Sequence, residues 1–128
     1  MKIIHSFLLP LLWLSACADR AACWAEFPAD APEIGYVGRT AGDGGGVSFD
    51  WAGTTVRCRF TGSRLAVRVS DTQKNYYRVT VDGEETTIAT FGTDSLVVLA
   101  EGLGRGEHFA TLLKRTEGDQ GRTTIHAF

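Results

Sequence analysis

Cysteine, histidine and excess charge are all scarce in these 128 residues, and each shortage closes a class of function. Of three cysteines, Cys17 and Cys23 fall in the first 25 residues, which have the marks of a targeting segment, so cleavage after Ala25 would leave only Cys58. Cys58 lies in an alternating run that points it inward with Val56 and Phe60, and a buried thiol is expected. His108 and His126 are far apart, with no Cys or His at ligand spacing around either. No zinc site is expected, nor any other metal or cofactor. Setting aside Lys2, Arg20 and Asp19 in the targeting segment, 11 Lys and Arg face 14 Asp and Glu, a net charge of −3. No basic stripe with interleaved aromatics occurs, so nucleic acid is not an expected partner. Gly42-Asp43-Gly44-Gly45-Gly46 is followed by no helical pattern, which predicts a flexible strand connection and not a phosphate cradle.

The one long apolar run, Ile3 to Leu14 behind Lys2, is too short to cross a bilayer as a permanent helix and has the layout of a secretory signal. It has two exits. Leu14-Ser15-Ala16-Cys17 resembles the bacterial lipobox, which makes Cys17 a lipidation candidate and a lipid anchor the one expected contact with a membrane; ordinary cleavage after Ala25 is the alternative. Either way the product is exported, as a periplasmic, outer-membrane or secreted protein. We divide the chain into a signal at 1–25, a Pro- and Ala-containing leader at 26–34 and a folded domain at 35–128. About a hundred residues suffice for one apolar core and leave nothing for a separate catalytic lobe.

That domain alternates with period two. Val47, Phe49 and Trp51 share a face in VSFDW, as do Val56, Cys58 and Phe60 in the next run. RLAVRVSD places Leu65, Val67 and Val69 on one side and Arg64 and Arg68 on the other; NYYRVTV continues with Tyr77, Val79 and Val81 before an Asp82-Gly83 hairpin signal. TTIATF, SLVVLAEGL, EHFATLLKRT and RTTIHAF complete the set, and no window sustains a helical period. Short strands with turn signals between them predict an all-β fold, a jelly-roll-type β-sandwich of two antiparallel sheets.

Several strings are more specific than the pattern. Gly45-Gly46-Val47-Ser48-Phe49-Asp50-Trp51-Ala52-Gly53, Val56-Arg57-Cys58-Arg59-Phe60-Thr61-Gly62-Ser63, Asn75-Tyr76-Tyr77 leading to Val81-Asp82-Gly83, Leu99-Ala100-Glu101-Gly102-Leu103, Gly106-Glu107-His108 and Lys114-Arg115-Thr116-Glu117 follow one another in the order of a known family. Together they resemble the N-terminal domain of carbohydrate esterase family 2, over nearly all of the chain from Gly35 to Phe128. The resemblance implies a jelly-roll domain that precedes an SGNH/GDSL-type hydrolase domain, which removes acetyl groups from plant polysaccharides such as xylan. The catalytic serine of that family lies in the hydrolase domain. Because Ile125-His126-Ala127-Phe128 falls where the family's last strand leads into it, this chain is expected to be the accessory half, without activity of its own.

Gly92-Thr93-Asp94-Ser95-Leu96 nevertheless invites comparison with the GDSL serine block. An SGNH nucleophile stands on a strand-to-helix turn, with oxyanion donors on other loops and a histidine in a D-x-x-H string. Here Leu96 to Leu99 read as a strand, and neither His108 nor His126 lies in such a string. Ser95 is therefore expected to be a turn serine bonded to local backbone, and no catalytic residue is assigned.

Exposed aromatics hold sugars by stacking under a pyranose face, so Trp51, Tyr76 and Tyr77 are the glycan-contact candidates for a plant polysaccharide. Trp51 shares parity with Val47 and Phe49, which favours core packing; Tyr76 and Tyr77 must face opposite ways. Lys114, Arg115 and Glu117 are candidates for the interface with the hydrolase domain, or else for exposed cross-strand ion pairs worth less than about 1 kcal/mol.

Overall fold

The structure is a computed structural model that describes residues 24–128; the lipidation candidate Cys17 lies outside the described residues. Among these are eight strands: β1 Ile34–Val37, β2 Ala41–Asp43, β3 Gly46–Phe49, β4 Thr55–Thr61, β5 Leu65–Val81, β6 Glu84–Ala100, β7 Glu107–Lys114 and β8 Thr123–Ala127, with a 3-10 turn at Gly118–Gln120.

β5 and β6 hold 17 residues each, where the sequence pattern suggested two shorter runs apiece. Straight, such a strand spans about 55 Å, far beyond a domain whose radius of gyration is about 13 Å, so both must bend. Register shifts at Val69/Asp71 and Asp71/Asn75 supply the bend. Before it, Arg68–Asp71 pair with β8, which carries β3 and then β2. After it, Tyr77–Val81 pair with β7, which carries β4 and then β1. The expected all-β sandwich of jelly-roll type forms, but its two layers are one continuous antiparallel sheet, in the order β1-β4-β7-β5-β8-β3-β2 with β6 beside β5.

The turns follow the sequence. Asp82 and Gly83 take φ of 49° and 87°, the left-handed pair a two-residue hairpin needs, and close β5 onto β6. Gly44 and Gly45, at φ 56° and 99°, close a tight β2–β3 hairpin where a flexible connection was expected.

Between the layers, Leu65, Val67 and Val69 from one half of β5 and Tyr77, Val79 and Val81 from the other join Val56, Cys58, Ala110, Leu112 and Ile125 in one core. Each valine, leucine or isoleucine among them contributes about 2 kcal/mol by leaving water. Cys58 is buried as expected, and burial pushes its thiol up to about 11. The leader is part of the fold. Phe27 and Phe128 exchange backbone hydrogen bonds of 2.8 and 2.9 Å, and Ala29, Ala31 and Ile34 enter the core.

Candidate functional site

At the bend of β5 the inward parity continues, but the side chains turn polar. Asp71 follows Val69, and Asn75 precedes Tyr77; both are buried. Lys114 arrives beside them from the end of β7, where it follows Ala110 and Leu112 in parity and is 1% exposed. Its Nζ donates to the Thr116 carbonyl (2.8 Å), the Thr116 hydroxyl (3.2 Å) and the Glu117 carbonyl (3.4 Å), so every proton has an acceptor. Thr116 donates on to Asn75 Oδ1, and Asn75 Nδ2 donates to Asp71 Oδ1 at 2.9 Å. From the other side Tyr77 donates to Thr123, which donates to the same Asp71 oxygen. Desolvation holds the Lys114 pKa below the lysine range, opposed by Asp71, Asp50, Glu117 and Asp119, and burial raises that of Tyr77. Two donor chains thus end on one carboxylate and tie β5, β7 and β8 together from inside.

This geometry corrects three expectations. Lys114 is buried and engaged, so neither an interface nor an exposed ion pair can use it; Arg115 and Glu117 remain exposed beside it. Tyr77 is 2% exposed with its hydroxyl bonded, so no ring face is open to a sugar. Trp51, expected in the core, is 57% exposed: β3 ends at Phe49, and parity does not carry through the turn in which Thr54 N–H bonds the Trp51 carbonyl at 3.3 Å. Tyr76 is 40% exposed with the Lys74 ammonium 5.4 Å from its ring centre.

Ser95 lies within β6, and its hydroxyl donates to the Phe91 carbonyl at 3.0 Å, the local backbone bond expected of it. A serine–histidine contact does exist elsewhere. Ser70 Oγ is 2.7 Å from His126 Nε2, a pair that sequence spacing could not reveal because β5 and β8 are joined only by the fold. A nucleophile would need oxyanion donors beside it, but the Asp94 N–H is spent on Ser70 Oγ itself at 2.9 Å. Among the described residues no carboxylate hydrogen-bonds His126, and no three His, Cys, Asp or Glu side chains are grouped to hold a metal.

The opposite end of β7 borders a groove of about 1370 Å³ that runs along β4 to the start of β5. Trp24, Phe27 and Phe109, between 46% and 48% exposed, line it with Phe128 and with Arg57, Arg59 and Arg64. Arg64 lies 5.8 Å from the Trp24 ring centre, and Arg59 pairs with Glu107 at 3.7 Å.

Residues 36–128 match the family described as carbohydrate esterase 2 N-terminal. The chain belongs to that family. A family two carbohydrate esterase from Clostridium thermocellum, solved with cellohexaose, is 32% identical with a TM-score of 0.69, over 73% of this chain and 29% of that one. A family two carbohydrate esterase from Cellvibrio japonicus is 24% identical with a TM-score of 0.75, over 80% and 32%. This member of the carbohydrate esterase 2 N-terminal family therefore spans about a third or less of the length of those esterases. A carbohydrate-binding module CBM36, solved with calcium and xylotriose, shares the fold at 12% identity and a TM-score of 0.59, over 81% of this chain and 97% of that one. No curated protein sequence matches the chain.

Proposed function

We propose that this chain is the non-catalytic accessory β-sandwich of an exported polysaccharide deacetylase of the acetylxylan type, and that it supports an SGNH hydrolase domain. The aromatic groove carries this reading. Phe27, Phe109 and Phe128, which stay with the folded domain under either route of signal removal, form an apolar patch beside the end of β8, and patches of this kind mark surfaces that a partner covers. The arginines at its margin would pair with carboxylates of that partner. Export rests on the segment before Ala25, with Cys17 as the lipid anchor where the lipobox is used.

Joining the hydrolase domain of the C. thermocellum esterase after Phe128 tests the docking role. Backbone NMR shifts of Phe27, Arg59 and Phe109 are expected to change most relative to the chain alone; shifts unchanged there sink the reading. The purified chain is expected not to release acetate from acetylated xylan, and release abolished by Ser70→Ala or Ser95→Ala would overturn its non-catalytic character.

A stand-alone carbohydrate-binding module is the second reading, favoured by the exposure of Trp51 and Tyr76. It predicts retarded migration in xylan or glucomannan gels, and free migration in both removes it.

A further inference from the structure

The bulge of β5 leaves a cleft of about 420 Å³ whose walls include Ser70, Asp71, Thr72, Phe91, Arg122 and Thr124. Asp71 pairs with Gly92 and Asn75 with Thr90, so three residues of β5 stand opposite Phe91 alone. Phe91 is 69% exposed, the most exposed large apolar side chain among the described residues. Across the cleft, Arg122 is exposed and, among the described residues, in no ion pair. Its position is set by its backbone: Thr72 Oγ1 accepts from Arg122 N–H at 2.9 Å, and Thr72 N–H donates to the Arg122 carbonyl at 3.1 Å. Gly121, at φ 107°, brings the chain so close that a Cβ there would lie 2.7 Å from Thr72 Oγ1. The wall is therefore built in advance.

Asp71 is the decisive member. It is 6% exposed, its Oδ1 collects Asn75 and Thr123, and its Oδ2 has no hydrogen-bond partner. That oxygen is closed off from solvent in this structure, so a ligand donor reaches it only as the side chains at the cleft floor shift, and such a donor then relieves the cost of an unpaired buried carboxylate oxygen. The ligand must also offer an apolar face to Phe91 and acceptors to Arg122. A phosphate would bring no donor to Asp71, and an aliphatic ligand would leave both charged groups unanswered. A pyranose has all three features: a C–H face, hydroxyl donors and hydroxyl or ring-oxygen acceptors.

We infer that this cleft is a sugar-binding subsite, which takes a neutral pyranose unit of a plant polysaccharide with Phe91 under the ring, Arg122 on its oxygens and Asp71 as the acceptor for one hydroxyl. It rests on the glycan-binding reading and is independent of the docking role. It also moves the contact from Trp51 and Tyr76 to residues that composition and periodicity did not single out.

Titrating the isotope-labelled protein with xylohexaose and, separately, with cellohexaose tests it by NMR. Shift changes at Phe91, Gly92 and Arg122 are expected with at least one of them. Phe91→Ala and Arg122→Ala should each weaken binding about tenfold, the size of one lost stacking or charge-assisted contact. Both side chains are exposed, so the melting temperature should hold. Changes confined to the surroundings of Trp51 and Tyr76, with Phe91→Ala neutral, overturn the subsite and leave the glycan reading standing. No change with either oligosaccharide overturns both, while the docking role is untouched.

Discussion

The Lys114 ammonium has three acceptors and 1% exposure, and that combination sets what its loss would do. Lys114→Met keeps most of the stem's volume but leaves two carbonyls and a hydroxyl without their donor. We expect a loss of about 3 kcal/mol in urea unfolding; a loss below about 1 kcal/mol would mean that water takes the ammonium's place. The signal for this residue was in the chain. Lys114 follows Ala110 and Leu112 at period two, as Asp71 follows Val67 and Val69, and parity places all of them inward. Charge alone suggested a surface, because the desolvation of one ammonium is tolerable only with acceptors that the sequence does not place. Trp51 is the converse error. Its parity with Phe49 was read past the residue at which the strand stops.

At the scale of elements, the β5–β6 turn is held to the start of β7 by a clamp. Asp82 Oδ1 accepts from Phe109 N–H at 3.0 Å, and Asp82 Oδ2 faces His108 Nδ1, while His108 Nε2 lies 2.6 Å from the Gly104 carbonyl. Both ring nitrogens face acceptors, so only the imidazolium satisfies both. Asp82 first and the Gly104 carbonyl second raise the His108 pKa above 6.5. The Phe109 N–H and then His108 lower that of Asp82 below 3.8. The His108 contribution is therefore complete below pH 6.5 and lost as pH rises through its raised pKa. That of Asp82 is complete above pH 3.8 and lost as pH falls through its lowered one. Thermal stability should be highest between these two values. Asp82→Asn, which tolerates the left-handed turn, should flatten the alkaline decline; superimposable melting profiles of the two proteins would refute the clamp. The Asp-Gly turn was legible in the sequence because backbone conformation selects its residues. The partnership with His108 was not, since 26 residues separate them and only strand pairing brings them together.

Across the whole molecule, the aromatic groove and the β5 bend lie at opposite ends of β7, so one end can meet a protein domain while the other remains open to solvent. β6 pairs only with β5 among the described residues, and its outward Leu96 and Val98 are 67% and 48% exposed. A long apolar edge recruits further strands. Leu96→Lys with Val98→Lys should raise the monomer fraction in light scattering and leave the melting temperature within a few degrees; aggregation unchanged by the pair would locate the sticky surface in the groove. Period-two alternation and the Asp-Gly turn were enough to determine an all-β sandwich and most of its inward-facing residues, because both are local steric and solvation preferences that every strand expresses on its own. The family strings determined the kinship. The tertiary structure alone decided that two 17-residue strands bend through both layers, that Asp71, Asn75 and Lys114 meet inside that bend, and that Phe91 stands open across from Arg122. Those contacts join residues far apart in the chain, and they exist only once the register shifts of β5 have set where each strand turns.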